Sequence, residues 1–178
     1  TDQLIKVASE KLGKIDVLVN NAGLGGFSKV SEMSDEDWSN VLETTLTGTF
    51  KMTRSALRYM EEEKQGVIVN NASVLGWRAQ ENQAHYSSAK AGVMAFTRSV
   101  ALEAVKFGVR INAVSPSIAM HEHLSKTSNK ELIEELIAKE VFGRAAQPWE
   151  VANVIIFLAS DYSSYLTGEV ISVSSQHP

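Results

Sequence analysis

Short runs of apolar, β-branched residues recur along this chain at Ile15–Asn20, Val67–Asn71, Val109–Val114 and Gly168–Val173. Each has strand length, and the intervals between them are long enough for helices. A nearly continuous apolar run is what a strand buried on both faces requires. Strands alternating with helices predict an α/β fold in which helices cover both faces of a parallel sheet.

The intervals carry helical signals. Thr1–Leu12 places Leu4, Ile5, Ala8 and Leu12 along one side and stops at Gly13. Ser34 followed by Asp37 resembles a capping box opening a long helix through about Glu63, with Trp38, Val41, Leu42, Leu46, Phe50, Met52 and Leu57 as its apolar positions. That is more apolar surface than one sheet face needs. Ala84–Val105 reads as a further helix. Ser115–Thr127 is polar and irregular, a short helix follows near Lys130–Ala138, and Pro148 opens Pro148–Ala159. With 178 residues and no internal repeat or linker, a single domain is expected over 1–178.

Composition narrows the function classes. A net charge of −4 without a basic cluster leaves no electrostatic footprint for nucleic acid. Without cysteine there is no thiolate nucleophile and no zinc-thiolate site. Val151–Ala159, the longest greasy segment, is far too short to span a bilayer. No signal-peptide pattern opens these residues, so a cytoplasmic protein is expected.

Chemistry concentrates between Ser73 and Lys90. Ser73 closes V-I-V-N-N-A-S, just past a strand, while Tyr86 and Lys90 lie four apart on one helix face. A free phenol with a pKa of about 10 is a poor proton carrier near neutrality. A nearby ammonium favours the phenolate, and a serine hydroxyl can hold the substrate oxygen while the phenol exchanges its proton. Taken singly, these residues read more simply, as a turn serine and a surface Tyr–Lys pair. The flanking sequence changes the balance.

Asn20-Asn21-Ala22-Gly23, the Ser73…Tyr86-x-x-x-Lys90 set, Arg110-Ile111-Asn112-Ala113-Val114-Ser115-Pro116 and the Gly143–Gly168 tail together resemble the short-chain dehydrogenase/reductase family. The motifs stand in the family's order and span essentially the whole chain. The resemblance implies a doubly wound, Rossmann-like sheet with its site at the carboxyl ends of the strands. It implies hydride transfer between NAD or NADP and a secondary alcohol or ketone, here a 3-oxoacyl thioester or an alicyclic or steroid-derived hydroxyacyl-CoA. By the same resemblance Tyr86 is the acid/base, Ser73 orients the carbonyl, and Lys90 tunes Tyr86 and holds the ribose. Asn20, Asn21, Ala22, Gly23, Asn71, Pro116, Ser117 and Ile118 would line the cofactor, and the chain would form a homodimer or homotetramer.

Three departures qualify that reading. The family's Gly-rich phosphate turn is not found upstream of Thr1; the first βαβαβ half, roughly seventy residues, is lacking and a longer parent is expected. The residue that separates NAD from NADP would lie there. Thr45 stands where the family commonly has Asn, so its part in a proton relay is altered. Pro116-Ser117 replaces the usual Pro-Gly. His121-Glu122-His123 offers too few ligands for a metal site. Trp77, Arg78 and His85 flank the pocket; Arg78 could hold an anionic group, though a solvated arginine is the simpler reading. A non-catalytic binding or scaffolding member is the alternative function.

Overall fold

The computed structural model describes residues 1–120, 124 and 130–176. His121, Glu122 and His123 lie outside the described residues, as does part of the polar segment read as Ser115–Thr127.

Strands β1 (Val17–Asn20), β2 (Gly66–Asn71), β3 (Val109–Pro116) and β4 (Val170–Val173) form one sheet in the order β1-β2-β3-β4, every pair parallel. Helices α1 (Asp2–Leu12), α2 (Asp35–Leu42), α3 (Gly48–Glu63), α4 (Ala84–Ala104), α5 (Lys130–Ala138) and α6 (Pro148–Ala159) occupy the intervals. A parallel pair needs a crossover of a dozen or more residues, and these helices supply it. The alternation in the sequence is therefore the alternation in the fold.

One sheet face packs on α1, α3 and α4 through Ile5, Ala56, Met60, Ile68, Ala101 and Ile111; the other packs on α6 through Val69, Val114, Val151 and Leu158. Ile68 and Ile111 are fully buried, each contributing about 1.5–3 kcal/mol by leaving water. β1 departs from this sandwich. Leu18 packs under the helices, but Val17 and Val19 on the opposite face are 39% and 41% exposed. Leu4 and Leu12 of α1 also stay exposed. The apolar stripe expected on α1 is thus wider than the partner it meets: Ile5 and Ala8 suffice to dock the helix.

Two further adjustments separate structure from expectation. The helix read as continuous from Ser34 to Glu63 starts as expected, with Ser34 Oγ accepting from Asp37 N at 3.0 Å. It is interrupted by a π turn over Glu43–Thr47, in which Gly48 N–H reaches back to Glu43 O. β3 also runs two residues past Val114, because Ser115 and Pro116 pair with Ser172 and Val173.

Arg110, on the α6 face of β3, explains part of the R-I-N motif in structural terms. Its guanidinium donates to the carbonyls of Leu158 at 3.2 Å and Ser160 at 3.0 Å and to Ser163 Oγ at 3.1 Å. Those acceptors lie at the end of α6, where orphan carbonyls need donors. Asn112 continues the tie, donating to Leu166 O and accepting from Glu169 N. Together they hold the connection into β4.

Candidate active site

Three strand ends meet at one edge of the sheet. β1 ends at Asn20, β2 at Asn71 and β3 at Pro116, so the candidate cofactor residues Asn20–Gly23, Asn71 and Pro116–Ile118 all fall at carboxyl ends. Ligands in open α/β sheets sit outside such ends. A buried polar chain fixes this edge. Asn20 Nδ2 donates to Thr53 Oγ1 and to Asn70 Oδ1, Asn70 Nδ2 donates to Thr97 Oγ1, and each distance is 2.9 Å. Every one of these groups is buried, and leaving one unpaired would cost about 1–3 kcal/mol. Asn70, Thr53 and Thr97 escaped the sequence reading; the Asn70-Asn71 doublet at a strand end was the available signal.

Ser73 caps a short 3-10 turn over Val74–Gly76, its Oγ accepting from Leu75 N at 3.3 Å. The same hydroxyl lies close enough to the Tyr86 phenol to favour its ionised form. One turn further along α4, Lys90 is 3% exposed and its Nζ donates to Asn71 O at 2.6 Å. That nitrogen lies 5.6 Å from the centroid of the Tyr86 ring. The three residues singled out in the sequence are brought together.

Their titration is governed by burial. Burial pushes the Tyr86 phenol above its ordinary value, opposed by the nearby Ser73 hydroxyl. Burial also lowers Lys90 from 10.5 to about 8. The expected downward pull of Lys90 on Tyr86 is not among the causes of the Tyr86 shift. The phenol is therefore held neutral at physiological pH.

The chain after Asn20 closes over this group. An added Cβ at Gly23 would stand 3.4 Å from Lys90 Nζ and 3.6 Å from Thr45 Oγ1. Thr45 Oγ1 accepts from Leu24 N at 3.0 Å and donates to Leu24 O at 3.2 Å. The π turn carries Thr45, and through it Thr45 pins the backbone just after the N-N-A-G segment. At Gly26 a Cβ would meet His85 Nε2 at 2.9 Å, so only glycine fits without displacing that buried imidazole. Asn71 Nδ2 donates to Asn21 Oδ1 at 2.8 Å. Asn71 Oδ1 and Ser115 Oγ are buried with no protein partner.

Of the flanking residues, Trp77 is exposed, His85 is buried beneath Gly26, and Arg78 is tied to Gln176 rather than presented as a solvated cation. No cluster of three or more metal-ligating side chains occurs among the described residues. No helix among them is long and apolar enough to cross a membrane.

A family profile described as enoyl-(acyl carrier protein) reductase matches residues 1–175. The chain belongs to the short-chain dehydrogenase/reductase family. Members of this family are NAD(P)-dependent oxidoreductases. The chain is 64% identical over 178 residues to a (5R,7aS)-5-hydroxy-7a-methyl-1-oxo-2,3,5,6,7,7a-hexahydro-1H-indene-carboxyl-CoA reductase of Mycobacterium tuberculosis, covering 99% of this chain and 68% of that protein. It is 37% identical over 173 residues to a 3-oxoacyl-(acyl-carrier-protein) reductase of Vibrio cholerae, covering 97% of this chain and 70% of the relative. The crystal structure of a short chain dehydrogenase from Mycobacterium smegmatis superposes with a TM-score of 0.85 at 59% identity, covering 99% of this chain and 65% of that one. The chain thus spans about two thirds of these short-chain dehydrogenase/reductases.

Proposed function

We propose that this chain carries the proton-transfer centre of a reductase that interconverts a ketone and a secondary alcohol on an alicyclic or steroid-derived acyl-CoA. The observation that carries the reading is the convergence of Ser73, Tyr86 and the buried Lys90 at the carboxyl end of β2, with Lys90 Nζ 5.6 Å from the Tyr86 ring and bonded to Asn71 O. The reading is supported by two relatives whose names specify reduction of thioester-linked substrates. The greater identity to the indene-carboxyl-CoA reductase favours a ring-bearing substrate over a straight-chain 3-oxoacyl thioester.

The residues present fit a nicotinamide dinucleotide. Asn71 Oδ1 and Ser115 Oγ are buried polar atoms awaiting partners, and Gly23 leaves the approach to Lys90 open where a Cβ would fill it. Asn20–Gly23, Asn71 and Pro116–Ile118 would hold the group, which when bound supplies or accepts the hydride. Ser73 Oγ donates a hydrogen bond to the substrate carbonyl oxygen and polarises it. Tyr86, kept neutral by burial, gives that oxygen its proton during reduction. Lys90, with a pKa of about 8, can replenish the phenol near neutrality and bond a ribose hydroxyl. Thr45 acts by fixing the backbone at Leu24, next to the Gly23 that approaches Lys90. The working unit is a cytoplasmic homodimer or homotetramer, a reading supported by the exposed Trp38 and Phe50 on α2 and α3.

The test is NAD(P)H oxidation with an alicyclic 3-oxoacyl-CoA, using a protein that contains this chain. Tyr86→Phe is expected to cut kcat by about 10²–10⁴-fold, the usual worth of a positioned acid. Ordinary turnover by Tyr86→Phe would overturn the assignment. No nicotinamide turnover by the parent protein with any acyl thioester would favour the binding or scaffolding alternative.

A further inference from the structure

Helix α5 contributes no buried residue, yet it follows the segment that leaves β3 beside the candidate cofactor residues Pro116–Ile118. Just beyond its end a buried carboxylate ties it to the segment after β4. Glu140 is 5% exposed. Its Oε2 accepts from Ser175 N at 3.1 Å and Ser175 Oγ at 2.5 Å, and its Oε1 accepts from Gln176 Nε2 at 2.6 Å. The amide of Val141 closes the contact by donating to Ser175 O at 3.3 Å.

The other end of the Gln176 side chain faces the catalytic segment. Arg78 donates through Nη1 to Gln176 Oε1 and through Nη2 to Gln176 O at 3.5 Å. Arg78 N in turn donates to Val74 O at 2.9 Å, within the turn that Ser73 caps. Gln176 therefore bridges two segments far apart in sequence: the end of α5 and the turn after Ser73. Its chemistry suits that place. The carboxylate needs a donor, the guanidinium needs an acceptor, and a carboxamide is the neutral side chain that offers both. A glutamate would accept from Arg78 but set a second carboxylate against Glu140.

We infer that Gln176, gripped by Glu140 and Arg78, is a positioning residue that latches α5 against the Ser73 turn and so fixes the wall on which the acyl part of the substrate packs. The inference rests on the acyl-thioester reading above. Gln176 touches none of the reacting atoms; it acts through the two segments it joins. Loosening it therefore weakens thioester binding and leaves the proton-transfer group intact.

The test compares the parent enzyme with Gln176→Met, which keeps the side-chain length and removes both hydrogen bonds, and with Gln176→Glu. Both variants are expected to raise KM for the alicyclic acyl-CoA at least tenfold, with kcat within about threefold and KM for the nicotinamide cofactor unchanged. Hydrogen exchange of the α5 amides is expected to quicken at least tenfold in Gln176→Met, with no change in β2 or β3. Unchanged acyl-CoA KM together with unchanged α5 exchange would overturn the latch, as would a fall in kcat at constant KM. The exchange measurement needs no turnover, so it still judges the latch if the parent enzyme proves inactive on acyl thioesters, the outcome that would instead sink the function proposed.

Discussion

Lys90 shows what the site asks of a single residue. Burial lowers its pKa from 10.5 to about 8, which corresponds to about 3 kcal/mol held against the charged form. The sign follows from proton counting. Between pH 8 and 10.5 the unfolded chain binds the lysine proton and the folded one does not, so stability from this group rises with pH across that window. Below about pH 8 both states are protonated and the penalty is fully in place. Urea unfolding followed from pH 7 to 9.5 is expected to show the parent protein gaining on Lys90→Met as pH rises. Parallel curves for the two proteins would mean that Lys90 titrates normally in the fold. A lysine so placed is a poor structural choice, and its cost is understandable if the site uses the proton.

Elements differ in how they are anchored, and that difference governs how much of each the sequence discloses. Helix α6 is legible from its start: Pro148 stands in the first turn, and Gln147 with Glu150 completes a capping box. Glu150 also pairs both oxygens with Arg144 at 2.7 Å and accepts from Gln147 N at 2.8 Å. The Arg144 hydrogen bond, then the Gln147 amide, lower its pKa from 4.5 to about 2. A depressed carboxylate stabilises the fold fully above its unfolded pKa and loses that contribution as pH falls towards the folded value. The stability gap between the parent and Glu150→Gln is expected to be constant above pH 4.5 and to close between 4.5 and 2. A gap independent of pH would remove the ion pair from the account. The α2–α3 helix was legible in extent but not in form. Apolar spacing reports a helical face, whereas the π turn depends on the Gly48 to Glu43 bond, which composition does not encode. The same limit hid Gln176: its partners Arg78 and Glu140 lie 98 and 36 residues away. The spacing of Ser73, Tyr86 and Lys90 places them at one strand end and one helix face, but the flanking N-N-A-G and R-I-N-A-V-S-P motifs are what single them out as a site.

At the scale of the whole molecule, β1 sets the boundary. It pairs with β2 on one side only among the described residues, and Val17 and Val19 stand 39% and 41% exposed on a face that α6 covers further along the sheet. Ile15–Asn20 has the apolar composition of an interior strand, and the family's fold places further strands beyond it. An open strand edge with exposed apolar side chains is a template for another chain. The 178 residues by themselves are therefore expected to self-associate at tens of micromolar, a range in which unpaired edges commonly aggregate. Val19→Lys tests the cause. Its side chain lies on the exposed face, away from Ser73, Tyr86 and Lys90, and a charge there opposes stacking while leaving the backbone pairing with Asn70 and its neighbours intact. Sedimentation should show the weight-average mass of the variant falling towards 19.5 kDa, with the circular dichroism of the parent retained. A parent chain already monomeric at that concentration would mean that the edge is protected by its own twist and short length. Equal association in both chains would move the contact to the exposed helical residues Trp38 and Phe50, the surface already assigned to the proposed homo-oligomer.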